Sequence, residues 1–228
     1  MAGALKRRLL AWQNRLTEAY GSDISTPKAR RAAWWHFVLV DHAFLRGFWT
    51  NLAEIAPGVW RANQPSPARF VEYKHRLGLK SVLNLRGTPD QGFYLFEREA
   101  CRILGLTLHD ISFSARRAPT RAALIELLDL LPRLEKPVLI HCKSGADRTG
   151  LVAAIYLLEI EGKSLAEAKE QLSFRFLHLK RTHTGIMDEV LELYGAEARG
   201  RSFRQWVEED YDPERTTEAF AARRGWKR

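Results

Sequence analysis

The chain has 228 residues, 46% of them apolar, which is enough for one domain with a sizeable core and appendages. Thirty-six Lys and Arg against 27 Asp and Glu give a formal net charge of +9, a basic balance that suits phosphorylated, lipid or nucleic-acid partners. Two cysteines, Cys101 and Cys142, offer no disulfide framework; no run of transmembrane length is both apolar and free of charge; and no zinc spacing, helix-turn-helix pattern or aromatic RNA motif points to nucleic acid.

Residues 1–50 read as a helical extension. The run 4–20 mixes Leu5, Leu9, Leu10, Trp12 and Leu16 with Lys6, Arg7, Arg8 and Arg15, and Gly21-Ser22-Asp23 breaks it. It contains no long apolar core followed by a cleavage site, so a cytoplasmic location is expected. A second helical run, 29–49, carries Trp34, Trp35, Phe37, Phe44 and Phe48. It is too apolar to stand alone in water. It is expected to pack on the following domain, with contact at an anionic membrane surface as the alternative.

From 51 to 197 the pattern alternates. Strands are expected at 59–62, 81–85, 106–111 and 138–141, and helices at 66–77 (opened by Ser66-Pro67), 94–104 and 120–131. Helices follow near 149–161, 164–173, 184–194, 202–209 and 214–224. Strand–helix alternation predicts an α/β domain: a central, mostly parallel sheet flanked by helices, with extra helices at both ends. Residues 198–228 read as a charged, loosely packed helical tail.

The most informative segment is His141-Cys142-Lys143-Ser144-Gly145-Ala146-Asp147-Arg148-Thr149-Gly150. Five residues between a cysteine and an arginine can wrap backbone N–H groups around one tetrahedral oxyanion, and the planar guanidinium can close the ring on two oxygens. The flanking strand and apolar run put this loop at a helix N-terminus, where free N–H groups and the macrodipole favour an anion and a thiolate alike. Gly145 permits positive φ, and Gly150 permits close helix approach. Cys101, on the apolar side of a helix, reads as a buried structural cysteine.

His-Cys-x5-Arg-Thr-Gly, together with Gly58-Val-Trp-Arg-Ala-Asn-Gln-Pro-Ser66 and Gly78-Leu-Lys-Ser-Val-Leu-Asn-Leu-Arg86, resembles the cysteine-dependent protein tyrosine phosphatase superfamily, in particular its compact, atypical dual-specificity-like bacterial members, over roughly residues 57–195. The resemblance implies that Cys142 attacks phosphorus to give a cysteinyl-phosphate that water hydrolyses. It also implies that Arg148 clamps the oxyanion, that Thr149 assists departure of sulfur, and that Lys143, Ser144, Gly145, Ala146, Asp147, Arg148 and Thr149 hold the phosphate. His141 would order the loop. No metal or other cofactor is expected.

The general acid stays open. Such phosphatases place an Asp on a movable loop about thirty residues before the cysteine, and Asp110 has that spacing. Asp110 falls inside the strand 106–111, however, and the following loop, Ser112-Phe-Ser-Ala-Arg-Arg-Ala-Pro119, carries Arg116 and Arg117 in place of a carboxylate. Asp147, in Cys-x4-Asp-Arg-Thr, resembles the residue in myotubularin-like lipid phosphatases, and Asp90 is a third candidate in a turn. The expected substrate is phosphotyrosine, phosphoserine or phosphothreonine in protein. A phosphoinositide is the alternative, favoured by Lys143, Arg116 and Arg117. The readings from other classes are a phosphate-binding pseudo-enzyme and a membrane-surface adaptor.

Overall fold

The computed structural model describes residues 21–225. A five-stranded sheet runs in the order β1 (Ala53–Ala56), β2 (Val59–Ala62), β5 (Val138–His141), β3 (Ser81–Asn84), β4 (Thr107–Asp110). The last four strands are parallel, and β1 pairs antiparallel with β2 at one edge. Parallel strands joined by helical crossovers are covered on both faces, and β5 carries the signature of this. Val138 and Ile140 enter one core cluster, Leu139 the other, and no residue of β5 is exposed. The expected α/β architecture is therefore the one observed. β1 is an addition, since Ala53-Glu54-Ile55-Ala56 lacks the β-branched enrichment that marks a strand.

On one face lie α2 (Pro67–Leu77), capped by Ser66, and α3 (Gly92–Leu104), which contribute Phe70, Tyr73, Ala100 and Cys101. On the other lie α4 (Arg121–Leu130), α5 (Asp147–Glu159), the short α6 (Leu165–Lys169), α7 (Ile186–Glu197), α8 (Phe203–Glu209) and α9 (Pro213–Arg224). Phe203, Trp206, Val207 and Tyr211 are fully buried in the same cluster as Leu151, Ile155 and Leu191. The sequence expectation of a loose tail after residue 198 is corrected here: four large apolar side chains of the charged segment face inward, and its charges lie outside.

The expected helical run 29–49 is not continuous. α1 (Pro27–Trp35) passes into one wider turn, His36–Val40, and stops at Asp41. His42 and Asn51 have positive φ, with a single 3-10 turn, Leu45–Gly47, between them. At the bend Asp41 forms ion pairs with Arg46, Arg86 and Lys143. Cover for the aromatic residues is also incomplete. Phe37 is buried against Phe93 and Tyr94, whereas Trp35 is 55% and Phe48 86% exposed. The run 4–20 lies outside the described residues. Among those described, no helix is long and apolar enough to cross a membrane.

The strand register positions the site. Ala62, His141, Asn84 and Asp110 are aligned across β2, β5, β3 and β4, so the loops that leave them rise together at the carboxyl ends of the strands, where open α/β sheets bind ligands.

Candidate active site

Cys142 follows the last residue of β5, and Asp147 opens α5. The intervening loop turns sharply. Gly145 has φ +72°, and a Cβ there would stand 2.6 Å from the Ala62 carbonyl and the Asn63 nitrogen, so no larger residue fits. A Cβ on Gly150 would meet Leu172 and the Gln171 carbonyl at 2.6 and 2.7 Å. Ala146 supplies no side-chain cap to α5, which leaves the first N–H groups of this helix for another acceptor.

Cys142 is buried. Burial by itself pushes a thiol up. The Arg148 guanidinium, the Thr149 hydroxyl and the N–H groups of Thr149 and Gly145 outweigh it and bring Cys142 down to about 7. Cys101, also buried, is pushed far up by burial and by Glu97 and Asp110. One cysteine is thus poised as a thiolate near neutral pH and the other is inert.

Arg148 is anchored by one nitrogen. Its Nη1 donates to the carbonyls of Leu85 (3.3 Å) and Phe113 (3.2 Å), which belong to the loops after β3 and β4. Its Nε has no partner among the described residues, so the other edge of the fork is available to an oxyanion. Beneath the loop, His141 Nε2 meets Glu97 Oε1 at 2.5 Å and its Nδ1 meets the Cys142 carbonyl at 3.2 Å. Burial would lower His141, but Glu97 outweighs it and raises it.

Three further side chains hold the loop from outside. Arg61, fully buried, donates to the carbonyls of Gly145 (2.6 Å) and Gln171 (2.8 Å). Asn51 Nδ2 donates to the carbonyls of Ser144 and Phe176. Asp41 meets Lys143 Nζ at 3.1 Å. Sequence reasoning missed these roles. The signal that existed was a charged residue inside the apolar strand segment 59–62.

The acid candidates are placed differently. Asp110 accepts from Asn84 Nδ2 (2.8 Å) and from the Tyr94 hydroxyl (2.7 Å), so both its oxygens are engaged. It stands two strands from His141, about 10 Å at ordinary strand spacing. It lines a groove with Glu126, Asp129 and Arg133 of the α4 region. Asp147 is one residue from Arg148. Its Oδ1 accepts from His178 Nδ1 (2.7 Å), and His178 Nε2 donates to Asp188 Oδ2 (2.6 Å). Burial lowers His178, but the two carboxylates outweigh it and raise it to about 9. Asp90 is exposed in the turn after Gly87. Arg116 and Arg117 are exposed on the loop that reaches Arg148 through Phe113.

A buried, acidified cysteine under an uncapped helix N-terminus, followed after five intervening residues by an arginine and set at the carboxyl end of a parallel sheet, has the form of a cradle for a tetrahedral anion. The family described as "DSP-PTPase phosphatase fused to NAD+ Kinase" matches residues 40–187, more than half of the chain. The chain belongs to it, and with it to the cysteine-dependent protein tyrosine phosphatase superfamily as an atypical dual-specificity member. Dual specificity protein phosphatase TpbA of Pseudomonas aeruginosa is 31% identical over 144 residues, which cover 61% of this chain and 56% of TpbA. Dual specificity protein phosphatase CDC14C of Homo sapiens is 25% identical over 105 residues, 46% of this chain and 22% of that protein. The crystal structure of P. aeruginosa TpbA superposes with a TM-score of 0.51 at 24% identity, covering 70% of this chain and 92% of that one, which shows the shared fold. The chain spans little more than half the length of the TpbA sequence it matches.

Proposed function

We propose that the protein is a phosphoric monoester hydrolase that works through a cysteinyl-phosphate on phosphotyrosine, phosphoserine or phosphothreonine in protein. The observation that carries this reading is the Cys142 thiol, lowered to about 7 by Arg148, Thr149 and the loop N–H groups, at the start of a helix with no side-chain cap and beside an Arg148 Nε that has no partner among the described residues. The Cys142 thiolate attacks phosphorus, and the ester oxygen leaves. The N–H groups of residues 143–149 and Arg148 take up the charge on the equatorial oxygens. Thr149, whose hydroxyl has no other partner among the described residues, supports the sulfur as it departs when water attacks.

Asp147 is our choice for proton transfer. It adjoins Arg148 at the start of α5, and both oxygens of Asp110 are already engaged. Asp147 meets His178 as the carboxylate of an ion pair, the form that accepts a proton from the attacking water in the second step. Its help to the leaving group in the first step is correspondingly small, so aryl esters are the favoured substrates. The reactive thiol suits the reducing cytoplasm.

The test is a panel of phosphotyrosine peptide, phosphothreonine peptide and phosphoinositides with the wild type, Cys142→Ser and Arg148→Ala. Cys142→Ser abolishes turnover and retains phosphate binding. Arg148→Ala lowers kcat by about 10²–10³. Full activity in Cys142→Ser, or complete loss with a metal chelator, contradicts the mechanism.

A second reading, hydrolysis of phosphoinositide at an anionic membrane surface, is favoured by one observation. Phe48 (86% exposed) and Phe174 (73% exposed) stand on the two segments that Asn51 ties together at the Ser144 carbonyl. Exposed aromatics beside a basic cradle suit peripheral contact with anionic lipid. Turnover of phosphoinositide in vesicles at a rate above that for phosphotyrosine peptide selects this reading.

A further inference from the structure

Beside the cradle, and separate from its floor, lies a cavity of about 90 Å³ lined by Phe37, Arg46, Gln64, Ser66 and Arg69 among others. It has room for a group the size of one tetrahedral oxyanion. Its polar wall is cationic. The Arg46 side chain is 5% exposed. Arg46 Nη1 and Nη2 donate to the Asp41 carbonyl and to Asp41 Oδ2, both at 2.8 Å, while its Nε–H has no partner among the described residues. Arg69 Nη1 donates to the carbonyl of Arg46 (3.1 Å) and to Asn63 Oδ1 (3.4 Å), and Arg69 forms no ion pair among the described residues. Two arginines therefore line one space whose lining includes no carboxylate.

The wider surroundings do not neutralise them. Arg46, Arg86 and Lys143 share the single carboxylate of Asp41. Glu97, the next carboxylate, is taken by His141 and by Gln64 Nε2. The cavity also lies at the N-terminus of α2, an eleven-residue helix whose cap is Ser66, where the macrodipole adds positive potential. Burial and the nearby Arg86 and Arg69 hold Arg46 below its ordinary value against the pull of Asp41, as expected of a buried cation that shares its one carboxylate with Arg86 and Lys143. Positive charge in excess of the one shared carboxylate is costly to keep out of water, and an anion in the cavity offsets that cost.

We propose that this cavity is a second anion site, taking a phosphate-type dianion supplied either as a second phosphate on the substrate or as free inorganic phosphate. It sits next to the cradle because the Gln64 N–H donates to the Lys143 carbonyl (3.2 Å), and Lys143 in turn meets Asp41, the partner of Arg46. The inference rests on the cavity and its charges and does not depend on hydrolysis at Cys142.

The test is calorimetric titration of the full chain with inorganic phosphate. The wild type binds two equivalents. Arg69→Gln weakens one of them about tenfold or more and keeps the wild-type rate on p-nitrophenyl phosphate. Arg69→Lys restores part of the binding, and Arg148→Ala removes the other equivalent. A peptide with one phosphate and the same peptide with two separate the sources. A KM raised about tenfold in Arg69→Gln for the doubly phosphorylated peptide alone assigns the site to the substrate. Unchanged KM values with the lost equivalent assign it to free phosphate. A single equivalent in the wild type that Arg148→Ala abolishes, or an Arg69→Gln titration identical to wild type, overturns the proposal. A failure of the phosphatase reading shows itself differently, as a wild type that binds phosphate and hydrolyses no substrate.

Discussion

The two ends of the described chain are attached by different forces. After residue 187, helices α7–α9 add Val190, Leu191, Phe203, Trp206 and Tyr211 to the main core. Before residue 51, the described chain is joined to the domain by ion pairs of Asp41 with Arg86 and Lys143 and of Arg30 with Glu99, beside a small aromatic contact of Trp34 and Phe37 with Phe93, Tyr94 and Phe96. Only Phe37 of its five prominent aromatics is fully buried. Apolar burial gives stability without reference to the site. A polar clasp on Lys143 and Arg86 binds the amino-terminal flank to the rim of the cradle, so that flank bears on function.

The largest expected effect is on the carboxyl-terminal side. Trp206 is fully buried and its Nε1 donates to Glu197 (3.0 Å). Trp206→Ala lowers unfolding free energy by about 3–5 kcal/mol, measured by urea denaturation. A loss under 1 kcal/mol would mean these helices are dispensable cover. On the amino-terminal side, Asp41→Asn leaves three cations without their partner and costs about 3 kcal/mol. Unlike Trp206→Ala, it also changes KM for phosphate esters, because Lys143 and Arg86 are released. An unchanged KM removes the distinction between the flanks.

A smaller, pH-dependent effect tests the Asp147–His178–Asp188 chain, which ties α5 to α7. His178 is raised to about 9 in the fold from about 6.5 unfolded. Its contribution is therefore full below pH 6.5 and is lost as pH rises through 9. Cys142, lowered to about 7, works in the opposite sense: the stability it contributes grows as pH rises from 7 toward 8.5. The difference in stability between wild type and His178→Asn isolates the first effect and shrinks by up to about 3 kcal/mol between pH 6.5 and 9. A difference that is flat across that range contradicts a protonated His178. The smallest effect belongs to the exposed face. Phe48→Ser changes stability by less than about 0.5 kcal/mol, yet lowers flotation with anionic vesicles if that face meets lipid.

What the sequence disclosed was local. The order of strands and helices from residue 59 onward followed from periodicity and caps, with Ser66-Pro67 opening α2 and the observed strands within a residue or two of expectation. The cradle was legible because its residues are contiguous. The side chains that brace it were not, because Asp41, Asn51, Arg61, Glu97 and His178 reach it across 31 to 102 intervening steps of chain, and spacing carries no information about such pairs. The loose tail was misread for a related reason: its charges dominate composition, while Phe203, Trp206 and Tyr211 declare their role only when packed. The choice of acid stayed open in the sequence because Asp110 and Asp147 differ in what holds them, which only the fold shows.

The account rests on Cys142 being a thiolate in a formed cradle, and Cys101 provides an internal control. The direct measurement is the rate of iodoacetamide alkylation of each cysteine against pH, followed by mass spectrometry, with and without inorganic phosphate. The predicted result is a Cys142 rate that rises with a midpoint at about 7, slows when phosphate is added, and exceeds a negligible Cys101 rate throughout. A Cys142 midpoint at 8.5 or above, no protection by phosphate, or equal rates at the two cysteines would contradict it.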